Sequence, residues 1–318
     1  MREIKSEQID KRLKKPSKRN REQRVRTLEC YGVLSTQIIG FFVFTLYPML
    51  WAAKKALYYY DGLKTTEKFV GLSNFVSAFT TDATYWKTWL FTLKFALMKM
   101  PLELGFAMIL ALILYKNLKG RGFFRAMFYL PNVISVAIVG VIFTNLFDYF
   151  GFINAWLVKL NIIKENVEWF AQPLTAQWAL VLGSVWCTFG VNVLYFIAAL
   201  NNVPEELYES AKLDGANAGT IFFRITLPLM APVLQTILLL SLNGTLQTSD
   251  YILVTTNGAP GGETFTVMSY LVSKFVPGFA ESTVNIGYGC ALSIITSIIM
   301  CMIAIGYTKV SAKLQNLY

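Results

Sequence analysis

Six stretches of this chain stay apolar long enough to cross a membrane, running roughly 31–53, 95–115, 126–147, 174–200, 229–249 and 284–307. Crossing ~30 Å of hydrocarbon at ~1.5 Å of rise per residue takes about 20 such residues in helical form. The first, third, fourth and sixth stretches carry no formal charge, which suits helices buried in lipid or among their own kind, where each backbone group must be satisfied within the helix. The second contains Lys99 and Glu103, and its uncharged run from Leu104 to Tyr115 is too short to cross alone. That helix must carry the pair into the membrane or begin with a strong tilt. The expected fold is an all-α membrane protein of six transmembrane helices: a basic tail over 1–28, then a membrane domain over 29–318.

Composition agrees with this pattern. Of 318 residues, 55% are apolar and 15% charged, and the mean hydropathy is +0.47, which excludes an ordinary soluble enzyme built on one core. The net charge of +10 is uneven. Met1–Thr27 holds eleven Lys and Arg against four acids, a composition that favours an irregular segment. Beside a membrane span it reads as a topology signal resting near anionic lipid rather than a nucleic-acid-binding arm. With an even number of spans, the tail, the connection holding Lys116, Lys119, Arg121 and Arg125, and the C-terminal Lys309 and Lys313 share one side. All nine arginines lie there. Lysine is less biased, since Lys54, Lys55, Lys64, Lys68 and Lys87 fall on the other side. Both termini are therefore expected in the cytoplasm. The chain has no histidine, and Cys30, Cys187, Cys290 and Cys301 show no metal-ligand or paired spacing, so histidine-based catalysis and zinc sites are excluded.

The segment 201–228 also falls on the cytoplasmic side, and it reads as more than a connector. Pro204, Glu205 and Glu206 suit the first turn of a helix, because proline needs no partner for its missing N–H and carboxylates favour the positive dipole end. Leu207, Ala211 and Leu213 supply an apolar face, and Asp214-Gly215 stops the helix with a residue that tolerates a left-handed backbone. A second short helix over Ala216–Phe223 and a bend at Leu227-Pro228 would return the chain to the membrane, giving a helix-turn-helix knob. An ordinary helical hairpin is the plain alternative. The residues themselves tip the balance: Glu209-Ser210-Ala211, Asp214-Gly215-Ala216, then Ile225-Thr226-Leu227-Pro228 and Pro232 closely resemble the EAA loop of binding-protein-dependent ABC importer permeases, with Ser210 where alanine is usual.

The resemblance extends over roughly residue 69 to the C-terminus. Phe69-Val70-Gly71-Leu72 with Asn74-Phe75, Phe123-Phe124-Arg125 with Leu130-Pro131, and Gly287-Tyr288 with Ala291 are similar to segments flanking spans of carbohydrate-type permeases. Asp250-Tyr251 and Thr256-Asn257-Gly258-Ala259-Pro260 with Thr264 resemble their Thr-x-Gly-Gly-Pro loop, Ala259 replacing its second glycine. In this order the matches favour the maltose and glycerol-phosphate branch. The resemblance implies a subunit of an ATP-driven sugar importer in a bacterial inner membrane. ATP and Mg would sit on a partner ATPase dimer, which receives the knob through Glu209. A second permease subunit and an extracytoplasmic solute-binding protein would complete the assembly. The chain itself lacks a Gly-x-x-x-x-Gly-Lys-Ser/Thr loop and is expected to bind no cofactor.

Two polar stripes are candidates for the solute path. Gln177, Ser184, Thr188, Asn192 and Tyr195 fall within about 80° on the fourth span, and Thr236, Asn243, Gln247 and Asp250 within about 60° on the fifth. Uncharged amides and hydroxyls suit a polyol, since they donate and accept without a fixed charge to desolvate. The alternative is that they bond neighbouring helices together. Lys99 and Glu103, four apart, are either a mutually neutralising pair, with Lys94 snorkelling outward, or a charged site in the path. Gly258, Gly261 and Gly262 read as turn residues on the outer side. The rival function is an ion-coupled secondary sugar transporter, for which only Lys99, Glu103 and Asp250 could titrate within the membrane.

Overall fold

The computed structural model describes residues 18–115, 119–276 and 284–315. Most of the basic tail, residues 1–17, and Lys116 lie outside the described residues. From Lys18 onward the tail is helical rather than irregular. It is continuous with a long apolar helix, so it needs no nucleus of its own. This α1 (Lys18–Phe41) passes through a π-helical turn (Phe42–Leu46) into α2 (Tyr47–Lys55), and together they form the first of two compact units, ending at Lys55.

The second unit, from Ala56 onward, is almost wholly helical. A two-stranded antiparallel ribbon, β1 (Tyr58–Tyr59) with β2 (Lys68–Phe69), pairs Tyr58 with Phe69. It leads to α3 (Ser73–Thr80), where buried Asn74 donates to the carbonyls of Ala56 and Tyr58 at 2.8 and 2.9 Å. Then follow α4 (Ala83–Tyr115), α5 (Arg121–Val133), α6 (Val136–Leu146), α7 (Phe152–Lys159), α8 (Pro173–Leu200), α9 (Glu205–Leu213) and α10 (Ala218–Ile221). The last elements are α11 (Leu227–Leu246), α12 (Asp250–Thr255), α13 (Val267–Phe275) and α14 (Ile286–Gln315). Among the described residues five helices are long and apolar enough to cross a membrane: Glu29–Lys55, Ala83–Tyr115, Pro173–Leu200, Ala218–Leu246 and Ile286–Lys313.

The third expected span is not one helix. α5 and α6 meet at 93°, and together they make a sixth candidate. Pro131 lies in the last turn of α5, where it removes one backbone donor and crowds the preceding turn. Ile134 and Ser135 beyond it are extended, with ψ of 139° and 132°. The helix at the second expected span also starts much earlier, at Ala83. Its 33 residues span about 50 Å at ~1.5 Å each, more than the membrane core, so the Lys99–Glu103 pair falls in its middle rather than at its start.

Three apolar cores share α4, and the first two also take in α8. One packs Phe91 and Phe95 against Phe143, Leu180 and Ile252. A second sets Ala107, Ala111 and Leu114 against Val193, Phe196, Met230 and Ile237. The third joins Tyr85 and Trp89 to Tyr270, Leu271 and Leu292. Small residues permit this close approach. A Cβ added at Gly190 would lie 1.9 Å from the Phe128 carbonyl oxygen, and one at Gly183 would meet the Phe143 ring at 2.8 Å. Asp82, just before α4, ties α13 and α14 to it, accepting from the Tyr288 hydroxyl at 2.7 Å and the Tyr270 hydroxyl at 2.9 Å.

Candidate functional site

The loop after α8 folds into a compact knob for local reasons. α9 opens with Glu205 and Glu206 in its first turn and closes with Lys212 in its last, both matching the helix dipole. At its end Gly215 sits at φ +77°. Its N–H donates to the Lys212 carbonyl at 3.0 Å while Ala216 N–H donates to the Ala211 carbonyl at 2.9 Å, the paired bonds of a Schellman stop. Asn217 then caps α10 by accepting from Thr220 N–H at 2.8 Å. Glu209, Ser210, Asp214 and Gly215 are exposed, Ala216 is half-buried and Ala211 is buried. Leu213, expected on the apolar face with Ala211, is instead 89% exposed. Between the knob and the C-terminal end of α4 lies a cavity of about 830 Å³ bordered by Tyr115, Arg121, Tyr208, Glu209 and Lys212.

The second helix of the knob begins at Ala218, and Leu227-Pro228 does not bend the chain. α10 runs through a π-helical turn, Phe222–Thr226, straight into α11, with Leu227 N–H reaching back to the Phe222 carbonyl. Pro228 explains the wide turn: its ring would press on the carbonyl four residues back, and a π turn gives that carbonyl room. The same arrangement precedes Pro48, where Tyr47 N–H reaches Phe42.

A second site lies where α4, α8 and α11 meet. Here a cavity of about 390 Å³ is bordered by Lys99, Glu103, Asn132, Ser184, Thr188, Asn192, Tyr195, Ser241, Gln247, Thr248 and Asp250, among others. Lys99 and Glu103 are 3% and 1% exposed and form an ion pair at 3.1 Å. The carboxylate also accepts from Asn192 Nδ2 at 2.6 Å and Ser241 Oγ at 3.3 Å, and Lys99 Nζ donates to Thr245 Oγ1 at 3.0 Å. Two charges thus cancel in the cavity wall, and three neutral side chains add hydrogen bonds to them. This is the condition under which a buried pair is tolerated.

The two stripes behave differently. On α8, Ser184, Thr188, Asn192 and Tyr195 border this cavity, whereas Gln177 borders a separate pocket nearer the start of the helix. On the fifth span α11 ends at Leu246 and Asp250 opens α12. Helical phase therefore does not relate Asp250 to Asn243, and the turn between them carries it to the cavity. Gln247 borders the cavity, but Asn243 does not. Its Oδ1 accepts from Gln247 Nε2 at 2.8 Å, so it orients Gln247 instead. Thr236 is exposed and bonded to the Pro232 carbonyl. Ser241, Thr245 and Thr248 escaped the sequence reading, although their spacing of four and three is itself a helical stripe.

The fold and its inner cavity define a polytopic helical membrane protein whose polar groups face one another inside the bundle. The chain belongs to the binding-protein-dependent transport system inner membrane component family, which it matches over residues 103–314. It is 35% identical to the probable ABC transporter permease protein YesP of Bacillus subtilis over 93% of this chain and 94% of that one. It is 32% identical to the lactose transport system permease protein LacF of Rhizobium radiobacter over 75% and 81%, and 32% identical to the trehalose/maltose transport system permease protein MalF of Thermococcus litoralis over 76% and 79%. A solved bacterial ABC transporter that imports the acidic polysaccharide alginate shares the fold, with a TM-score of 0.79, 22% identity, and 93% and 99% of the two chains covered.

Proposed function

We propose that this chain is the membrane-spanning permease subunit of an ATP-driven importer that passes a mono- or oligosaccharide from an extracytoplasmic binding protein to the cytoplasm of a bacterium. The observation that carries this reading is the cavity wall: Thr188, Asn192, Tyr195, Ser241 and Gln247 offer uncharged donors and acceptors, the Lys99–Glu103 charges beside them cancel, and the Asp250 carboxylate adds a further acceptor. Such a wall accepts hydroxyl groups without breaking the buried ion pair. Permeases named for lactose and for trehalose and maltose among the relatives support the substrate class. Glu209 and the exposed Leu213 and Phe223 would be the contacts of the knob with a partner ATPase, with Gly215 setting its angle. In this arrangement both termini face the cytoplasm, a second permease completes the path, and ATP with its Mg stays on the ATPase. The buried, hydrogen-bonded Lys99–Glu103 pair speaks against the ion-coupled alternative, which needs a group free to load and release an ion.

The test is recovery of the chain in mild detergent followed by reconstitution into liposomes. An ATPase and a second permease should co-purify, and sugar uptake should require both ATP and the binding protein. Uptake by the chain alone, driven by an ion gradient without ATP, would overturn the reading.

A further inference from the structure

The pocket that Gln177 borders has a chemistry of its own. It measures about 310 Å³, within the range of small-ligand sites, roughly 300–1,000 Å³. Lys87 and Lys94, two turns apart on one face of α4, line one wall. Among the described residues neither ammonium makes an ion pair or hydrogen bond. Opposite them Gln177 is 8% exposed, and its Nε2 is buried with no partner. An orphaned buried donor is uncommon enough to require an explanation, and a ligand acceptor supplies one. Glu263 adds a carboxylate on the rim, while Phe91 and Phe265 form apolar walls.

The loop holding Glu263 is fixed in place. Thr264, fully buried, bonds to Thr256 Oγ1 at 2.9 Å and to the Ala259 carbonyl at 2.7 Å, and the Phe265 ring fills the space where a Cβ of Gly258 would stand. The pocket is therefore built before anything enters it. Gln177 and Ser184 lie seven residues apart on α8, or about 10 Å, so the pocket stands two turns from the central cavity along the same helix.

We infer that this pocket binds the carboxylate-bearing sugar ring of an acidic oligosaccharide on its way to the central cavity. The carboxylate meets Lys87, Lys94 and the Gln177 amide, ring hydroxyls donate to Glu263, and the apolar ring face lies on Phe91 and Phe265. A lipid phosphodiester would satisfy the lysines but brings no apolar ring face to lie on Phe91 and Phe265. The inference rests on the importer reading above and narrows its substrate class to uronate-containing saccharides.

The test uses the purified complex without its binding protein and two trisaccharides of one skeleton, β-1,4-linked triglucuronate and cellotriose, which differ at C6 in carboxylate against hydroxymethyl. Binding is measured by saturation-transfer NMR with titration. Triglucuronate should bind about tenfold or more tightly than cellotriose, since charge-assisted bonds to two ammoniums are at stake. The preference should vanish in Lys87→Gln/Lys94→Gln, whose exposed positions leave folding alone, and weaken several-fold in Gln177→Leu. Equal binding of the two sugars, binding of neither, or a preference unchanged in the lysine variant would overturn the inference. So would loss of the preference in nanodiscs of phosphatidylglycerol but not of phosphatidylcholine, which would assign the pocket to lipid. ATPase co-purification and ATP-dependent uptake are scored separately: they stand or fall with the importer reading, whatever triglucuronate does.

Discussion

Replacing Glu103 by leucine strands every group that converges on its carboxylate. Lys99, 3% exposed, loses its counter-ion, and Asn192 and Ser241 lose their acceptor. An uncompensated buried charge costs about 3–5 kcal/mol, and each orphaned neutral donor about 1–3 kcal/mol. These penalties overlap, because Lys99 keeps its bond to Thr245 and Asn192 can turn, so the single variant should lose about 3–5 kcal/mol in all. Lys99→Met should lose a comparable amount, since it leaves the carboxylate uncompensated. The double variant Lys99→Met/Glu103→Leu removes both charges and should recover most of the loss, because apolar replacement of a whole buried pair is often neutral. The assay is a double-mutant cycle on the purified complex, with thermal unfolding and recovery by size exclusion as the two readouts. With each single variant losing about 3–5 kcal/mol and the double variant only about 1 kcal/mol, the coupling energy should be about 5–9 kcal/mol, large because both singles strand a buried charge. Single variants that melt with the wild type, or losses that simply add, would refute the argument that the pair holds α4, α8 and α11 together. Uptake by the recovered double variant then separates the two roles left open by the sequence: normal uptake makes the pair structural, and a folded but inactive complex puts its charges in contact with the solute.

Gly215→Val should uncouple ATP hydrolysis from uptake, because a side chain at φ +77° costs about 1–2 kcal/mol or more. Since a Cβ there meets nothing within 4 Å, Gly215→Asn, which tolerates that backbone, should stay coupled; equal coupling ratios in both would sink the role given to the turn. Gln247→Leu should lower uptake several-fold with the complex intact, whereas Asn243→Leu should have a smaller effect through the orientation of Gln247. An Asn243 variant as impaired as Gln247→Leu would mean that the cavity is bounded differently in the working complex. Gly190→Leu should prevent assembly altogether, because its side chain would enter the Phe128 backbone; recovery of a normal complex at normal yield would contradict the packing of α8 against α5.

What the sequence determined by itself was everything that follows from a local rule. Long apolar runs placed the helices of the membrane domain, because only helices satisfy their backbone without water. The acids of Glu205-Glu206 and the glycine at Gly215 placed both ends of α9, because caps and dipoles act within one turn. The order of Glu209, Gly215 and Leu227-Pro228 identified the family. Two prolines were not legible in this way: Pro131 lies at a break within what was expected as one span, and Pro228, expected to bend the chain, follows a π turn inside a continuous helix.

Only the tertiary structure decided which polar faces meet. Periodicity tells which residues share a side of one helix, but it says nothing of how that helix is rotated against its neighbours. Glu103 finds Asn192 across 89 positions and Ser241 across 138, and Asp82 finds Tyr288 across 206. The same ignorance separated Gln177 from the stripe it shares with Asn192 and brought Asp250 to a cavity that helical phase could not predict for it. In a bundle whose outer faces are apolar, the rotation of each helix is fixed by close packing at positions such as Gly183 and Gly190 and by the few buried groups that must find partners, and both are properties of pairs of helices rather than of any one.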